Sequence, residues 1–150
     1  MSGCATPRYQ LWCRSVAPTI LVVEDDGDAR EMVQTYLHFA GFHSVTAPNG
    51  RAGLEALEAH RPSVILLDLN MPVMDGWQFR AVQQQLPDSR LAHTPVVLLT
   101  AVSDCAEHGR RLGAIDVISK PIDLDHMIEV VHEQCRKEGD EPARPGFARV

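Results

Sequence analysis

The chain contains no apolar run approaching the ~20 residues that a membrane-spanning helix requires. Nothing near its N-terminus has the apolar core of a secretory leader, so a cytoplasmic protein without a membrane span is expected. It also lacks paired cysteines. Cys4, Cys13, Cys105 and Cys135 stand far apart with no CxxC spacing, which suits reduced, structural thiols rather than a metal knuckle. Basic charge is in deficit: 14 Lys and Arg face 20 Asp and Glu, a net charge of −6. That balance argues against a phosphate backbone bound by this chain alone. There is no helix-turn-helix or basic reading element, so no direct nucleic-acid contact is expected, and no internal repeat or low-complexity block is seen. Aromatic residues make up only 5% of the chain, which leaves the core to aliphatic side chains.

Those aliphatics come in short unbroken runs bounded by turn residues, the pattern of strands covered on both faces. Thr19 to Val23 (TILVV), Phe42 to Ala47, Val64 to Leu67 leading into Asp68, Pro95 to Thr100 and Ile115 to Ser119 are the five candidates. Between them lie helical periods. Ala29, Met32, Val33, Tyr36, Leu37 and Ala40 form one stripe that Gly41 ends, and Asn49 caps a helix bearing Leu54 and Leu57. A third helix carries Trp77, Phe79, Val82 and Leu86, and Pro87 to Thr94 reads as a polar loop. Ser103 to Leu112 has few large apolar residues and reads as a weakly packed, mobile helix. A last helix from about Asp123 to Lys137 buries Leu124, Met127, Ile128, Val131 and Cys135. Alternating strands and helices predict a doubly wound α/β fold with a five-stranded parallel sheet. The expected organisation is an extension over residues 1–18, one folded domain over 19–137, and a flexible C-terminal tail over 138–150.

In a parallel sheet all carboxyl ends share one edge, where open α/β folds place ligands. Four strands here end in reactive or charged groups: Glu24 and Asp25, then Asp68, Thr100 and Lys120. Taken singly, each has a bland reading. The Glu24-Asp25-Asp26 run suits a helix start, Thr100 a strand end, and Lys120 a surface charge. Taken together they have a cost. Two carboxylates 4 Å apart repel by about 4 kcal/mol at an effective dielectric near 20, and one lysine cannot offset three of them. Either carboxyl pKa values rise, or a hard divalent cation such as Mg²⁺ sits among the oxygens. With a lysine and a hydroxyl nearby, such an edge suits phosphoryl transfer to a carboxylate. The seven histidines show no ligand spacing.

The segments ILVVEDD, LLDLNMPVMDG, VVLLTA and GAIDVISKP resemble, together, the receiver domain of two-component response regulators of the stand-alone type, over roughly Thr19 to Lys137. The resemblance implies a flavodoxin-like (βα)5 fold with strand order 2-1-3-4-5. It implies that Asp68 accepts a phosphoryl group from a phosphohistidine of a histidine kinase or histidine phosphotransfer protein, and that the chain is a signalling domain rather than an enzyme acting on a separate substrate. By the same resemblance Asp25, Asp68 and the backbone carbonyl of Asn70 ligate Mg²⁺, with Glu24 acting through water. Lys120 binds a phosphoryl oxygen, Thr100 reports its presence, and Lys120-Pro121 is a candidate cis peptide. Output to a protein effector is expected through the face of the fourth helix, fifth strand and fifth helix.

One position departs from the pattern. Many relatives carry an aromatic ring or His where this chain has Val117, three residues before Lys120. Valine has no ring to swing and is stiff at χ1, so movement is expected at Thr100 and Ser103 to Leu112 rather than at Val117. Val102 offers no group to orient an attacking water, which predicts a long-lived phosphorylated form. The competing readings are a protein-binding module that works without phosphorylation, and a phosphatase or metal hydrolase on a similar sheet. The second lacks a separate general acid.

Overall fold

The computed structural model of the protein describes residues 17–101 and 105–139. Five strands form one parallel sheet: β1 (Thr19–Val23), β2 (His43–Ala47), β3 (Val64–Asp68), β4 (Val96–Thr100) and β5 (Asp116–Ser119). Their spatial order is β2-β1-β3-β4-β5, as the sequence resemblance implies. Among the described residues, six helices connect and flank them: α1 (Gly27–Phe39), α2 (Gly50–His60), α3 (Gly76–Gln84), α4 (Ser89–Ala92), α5 (Cys105–Leu112) and α6 (Leu124–Gly139). None of these is long and apolar enough to cross a membrane.

The unbroken apolar runs are explained by the pleat, which sends alternate residues to opposite faces. Ile20 and Val22 of β1 join Val64 and Leu66 of β3 in a core closed by Val33 and Leu37 of α1 and Met127 and Val131 of α6. Leu21 and Val23 point the other way and meet Ile65, Leu67, Leu57 of α2 and Phe79 of α3. Each such buried side chain contributes about 1.5–3 kcal/mol relative to exposure, so a strand of this kind cannot slip register without emptying both cores.

Local chemistry sets the helix ends. Asp26, Asn49 and Asp75 cap α1, α2 and α3, each accepting a backbone N–H in the first turn, and Gln78 completes a capping box with Asp75. Gly41, with φ +95°, ends α1 as expected.

Several expectations need correction. The stretch 87–94 is not a plain polar loop: it holds α4, with Leu91 and Ala92 buried. Asp88 caps that turn, and the buried Gln83 amide donates to the carbonyls of Leu91 at 2.9 Å and Thr94 at 3.1 Å. The apolar stripe of α1 is only half used, since Met32 and Tyr36 are largely exposed while Val33 and Leu37 are fully buried. Helix α3 stops at Gln84, so Leu86 packs against the core from beyond the helix. Helix α6 runs two residues past Lys137, into the segment expected to be tail. Val102 and Ser103, and most of both expected tails, lie outside the described residues.

Candidate functional site

Register alone brings the strand ends together. Val23 pairs with Leu67, so Glu24 and Asp68 leave adjacent strands side by side. Asp68 pairs with Leu99 on β4, and Thr100 pairs with Ser119 on β5. The Lys120 amide then donates to the Thr100 carbonyl at 2.9 Å, which fixes the residue beyond β5 against the end of β4. The Lys120-Pro121 peptide is cis.

Glu24 and Thr100 are fully buried and Asp68 is buried, while Asp25 faces solvent. One carboxylate oxygen from each of Glu24, Asp25 and Asp68 lies within 4.8 Å of the others. Lys120 Nζ stands 2.9 Å from Glu24 Oε1 and 3.5 Å from Asp68 Oδ2. Burial, then the neighbouring Glu24 charge, pushes the Asp68 carboxyl up from 3.8 to about 6. Lys120 and the Asn70 amide, which donates to the Asp68 carboxylate, oppose that rise without cancelling it. Burial works to lower the Lys120 ammonium, but the Glu24 and Asp68 carboxylates outweigh it and hold the group above its usual value.

The cluster therefore carries more negative charge than Lys120 neutralises. Glu24 Oε1 is buried and has Lys120 within ion-pair distance, yet no donor is aligned on it as a hydrogen bond. Three converging carboxylates, one of them buried with an oxygen so placed, form the donor set that a hard divalent cation accepts.

Two further residues build this edge, and sequence reasoning had missed their roles. Arg30, on the first turn of α1, donates to the Glu24 carbonyl at 2.8 Å and reaches the Asp25 carbonyl at 3.4 Å, so it staples the acidic turn from behind. Nothing in the sequence distinguishes it from any other surface arginine. Gly76 lies where the chain folds back onto Asp68: a Cβ there would sit 2.5 Å from the Asp68 carbonyl oxygen. Its amide donates to Leu69 at 2.9 Å, closing the loop that carries Asn70. Here the sequence holds a signal, a glycine at a loop-to-helix junction, but a glycine alone does not say which backbone it approaches.

The family model of the response regulator receiver domain matches residues 20–132, all of the sheet but Thr19 and most of the helices. The chain belongs to the response-regulator receiver family. Among curated proteins, the receiver is 37% identical to Regulatory protein AtoC of Escherichia coli K12 over 75% of this chain and 24% of that one. It is 36% identical to DNA-binding response regulator MtrA of Mycolicibacterium paratuberculosis over 83% of this chain and 54% of that one. It thus spans about a quarter to a half of these relatives' length. The solved chemotaxis response regulator CheY4 of Vibrio cholerae superposes with a TM-score of 0.71 at 29% identity, covering 79% of this chain and 99% of that one. The receiver fold is therefore shared with proteins of signalling systems, and the five residues Glu24, Asp25, Asp68, Thr100 and Lys120 meet at the carboxyl edge of its sheet.

Proposed function

We propose that this receiver is a phosphoryl-accepting switch in which Asp68 is the acceptor and the donor is a phosphohistidine of a histidine kinase or histidine phosphotransfer protein. A carboxylate oxygen of Asp68 attacks phosphorus as the P–N bond breaks. The bonding pair leaves with the imidazole, which takes up a proton. Asp68 must be ionised to attack, and with its carboxyl raised to about 6 that form is lost as pH falls through 6.

Mg²⁺ held by Asp25, Asp68 and the Asn70 carbonyl, with Glu24 acting through water, would supply charge neutralisation for the carboxylates and the incoming phosphoryl oxygens. Lys120 provides a second cation for a phosphoryl oxygen, since it already reaches Asp68 at 3.5 Å. Thr100, at the adjacent strand end, supplies the hydroxyl that follows the phosphoryl group. The observation that carries this reading is the meeting of three carboxylate oxygens within 4.8 Å beside one lysine. Output passes to a protein effector through the face of α5, β5 and α6, in the cytoplasm, with residues 19–137 as the working unit.

Acetyl phosphate with Mg²⁺ tests it. The expected result is a mass gain of one phosphoryl group that chelation prevents and Asp68→Asn abolishes. An unchanged mass overturns the proposal in favour of a binding module that works without phosphorylation, and sustained phosphate release overturns it in favour of a hydrolase.

A further inference from the structure

The run from Glu24 to Glu31 holds five acids and a single cation, Arg30. Arg30 is half-buried on the first turn of α1, behind the acidic turn that follows β1. A guanidinium set among Asp25, Asp26, Asp28 and Glu31 is expected to take a carboxylate, its strongest hydrogen-bonding partner. Arg30 takes none. Among the described residues it forms no ion pair, and its Nη1 donates to two backbone carbonyls, that of Glu24 at 2.8 Å and that of Asp25 at 3.4 Å. Both lie between β1 and α1, outside either element. The Glu24 carbonyl belongs to the peptide before Asp25 and the Asp25 carbonyl to the peptide after it. Peptide groups are planar, so one nitrogen holds both planes that flank Asp25 and, with them, the direction in which its side chain leaves the backbone. Neighbouring bonds anchor the rest of the turn. The Glu24 amide donates to the Ala47 carbonyl at 3.0 Å, the Asp26 amide to Glu24 Oε2 at 3.2 Å, and the Arg30 amide to the Asp26 carbonyl at 2.9 Å.

We propose that Arg30 is a positioning residue for the divalent-cation site: it holds the Asp25 backbone so that the Asp25 carboxylate stays with those of Glu24 and Asp68, and it occupies no carboxylate oxygen in doing so. The inference rests on the reading of these three acids as a Mg²⁺ site. Asp25 is the member that needs holding. Glu24 and Asp68 are buried, whereas Asp25 is exposed, so mutual repulsion of the three acts to swing it out into water. The proposal carries a sign. Through space, a guanidinium beside a cation site repels the ion, and removing its charge would by itself tighten binding. A group that orients metal ligands from behind has the opposite effect, since losing such a partner typically weakens metal affinity by about 10–100-fold. The two roles of Arg30 therefore predict changes in opposite directions.

The test is calorimetric titration of Mg²⁺ alone into the full chain and into its Arg30→Met variant, at a pH above 6 where Asp68 is ionised. Methionine keeps an unbranched stem and removes both the charge and the donors. The expected result is native circular dichroism with Mg²⁺ bound about 10-fold more weakly or worse. Affinity equal to or tighter than that of the native chain overturns the proposal. This holds even if the melting temperature falls, because Arg30 then serves the fold alone or acts only as a nearby charge. A native chain that binds no Mg²⁺ overturns the metal site and this inference with it, so the two failures are told apart by the native titration. If Arg30→Met does not fold, Arg30→Lys decides, since it keeps the charge on a shorter stem. Several-fold weaker Mg²⁺ binding by that variant supports the proposal, and native affinity overturns it.

Discussion

Val117 occupies the space that a side chain at Gly109 would need: a Cβ on Gly109 would lie 2.3 Å from Val117 Cγ2. Helix α5 therefore lies close enough to β5 that the Val117 side chain leaves no room for a Cβ at position 109, and the half-buried Val117 packs with Leu69, Leu98 and Leu112. Side chains of α3 hold the helix too. The Trp77 ring meets His108 edge-on at 5.3 Å, and the Arg111 guanidinium lies 5.1 Å over it. Arg80 donates to the Leu112 carbonyl at 2.7 Å. A helix that looked weakly packed by composition is pinned by a missing side chain.

A methyl group at position 109 should therefore be costly. Gly109→Ala is expected to destabilise the domain by about 1–3 kcal/mol, despite alanine's better helix propensity, because Val117 is stiff and cannot yield. Val117→Ala opens the same space, and the double variant should recover part of the loss. Denaturant midpoints of the four proteins measure the coupling, and strict additivity would refute the contact.

The same contact limits what a switch can move. With Mg²⁺ and beryllofluoride, which mimics a phosphoryl group on a carboxylate, amide shifts are expected at Thr100 and in the first turn of α5. They should fall away from Gly109 onward and be small at Val117, since residue 117 has neither a ring nor a free rotamer. Large NMR shifts centred on Val117, with residues 105–107 silent, would show that the conventional coupling survives.

The Asp68 carboxyl makes stability depend on pH in a known direction. Its folded pKa of about 6 lies above the ordinary 3.8, so its contribution is full below pH 4 and is lost as pH rises through 6. The shift is equivalent to about 3 kcal/mol. Asp68→Asn keeps the uncharged state at every pH, so in metal-free buffer it should be the more stable protein above pH 6. The gain should be about 1–2 kcal/mol, less than the full amount because Lys120 loses a partner. Near pH 4 the two should melt together. Mg²⁺ needs the ionised carboxyl, so its affinity should climb through pH 6 and level off above, with proton release in calorimetry at the lower end. Equal melting temperatures at pH 8, or a flat affinity profile, would contradict the shift.

How much of this was legible depends on range. The five strands and the meeting of Glu24, Asp25, Asp68, Thr100 and Lys120 followed from apolar runs and parallel topology, because each run is filled on both faces and each ends at the same edge. Asn49 and Gly41 marked their helix ends because capping is local. Contacts between distant residues left no such trace. Gly109 reads as a poor helix residue until Val117 is placed against it, and Met32 and Tyr36 fit the α1 stripe equally well buried or exposed.

Gln83 was the least legible, because a glutamine at helical spacing reads as surface. It is fully buried. Its amide donates to the Leu91 and Thr94 carbonyls and its oxygen accepts from Arg80 at 2.7 Å. This one side chain thus ties α3 to α4 and, through Arg80, to the end of α5. Gln83→Met keeps the volume but removes a donor from the Leu91 and Thr94 carbonyls and an acceptor from the Arg80 guanidinium, with the Leu91 carbonyl keeping the Thr94 amide at 3.3 Å, and is expected to cost about 2–3 kcal/mol. Amide exchange should accelerate first across residues 89–94, ahead of the sheet, since α4 has only four residues and, besides Gln83, rests on its Asp88 cap and the burial of Leu91 and Ala92. A midpoint within about 0.5 kcal/mol of the native value, or protection lost equally everywhere, would mean that α4 is held by Leu91 packing alone.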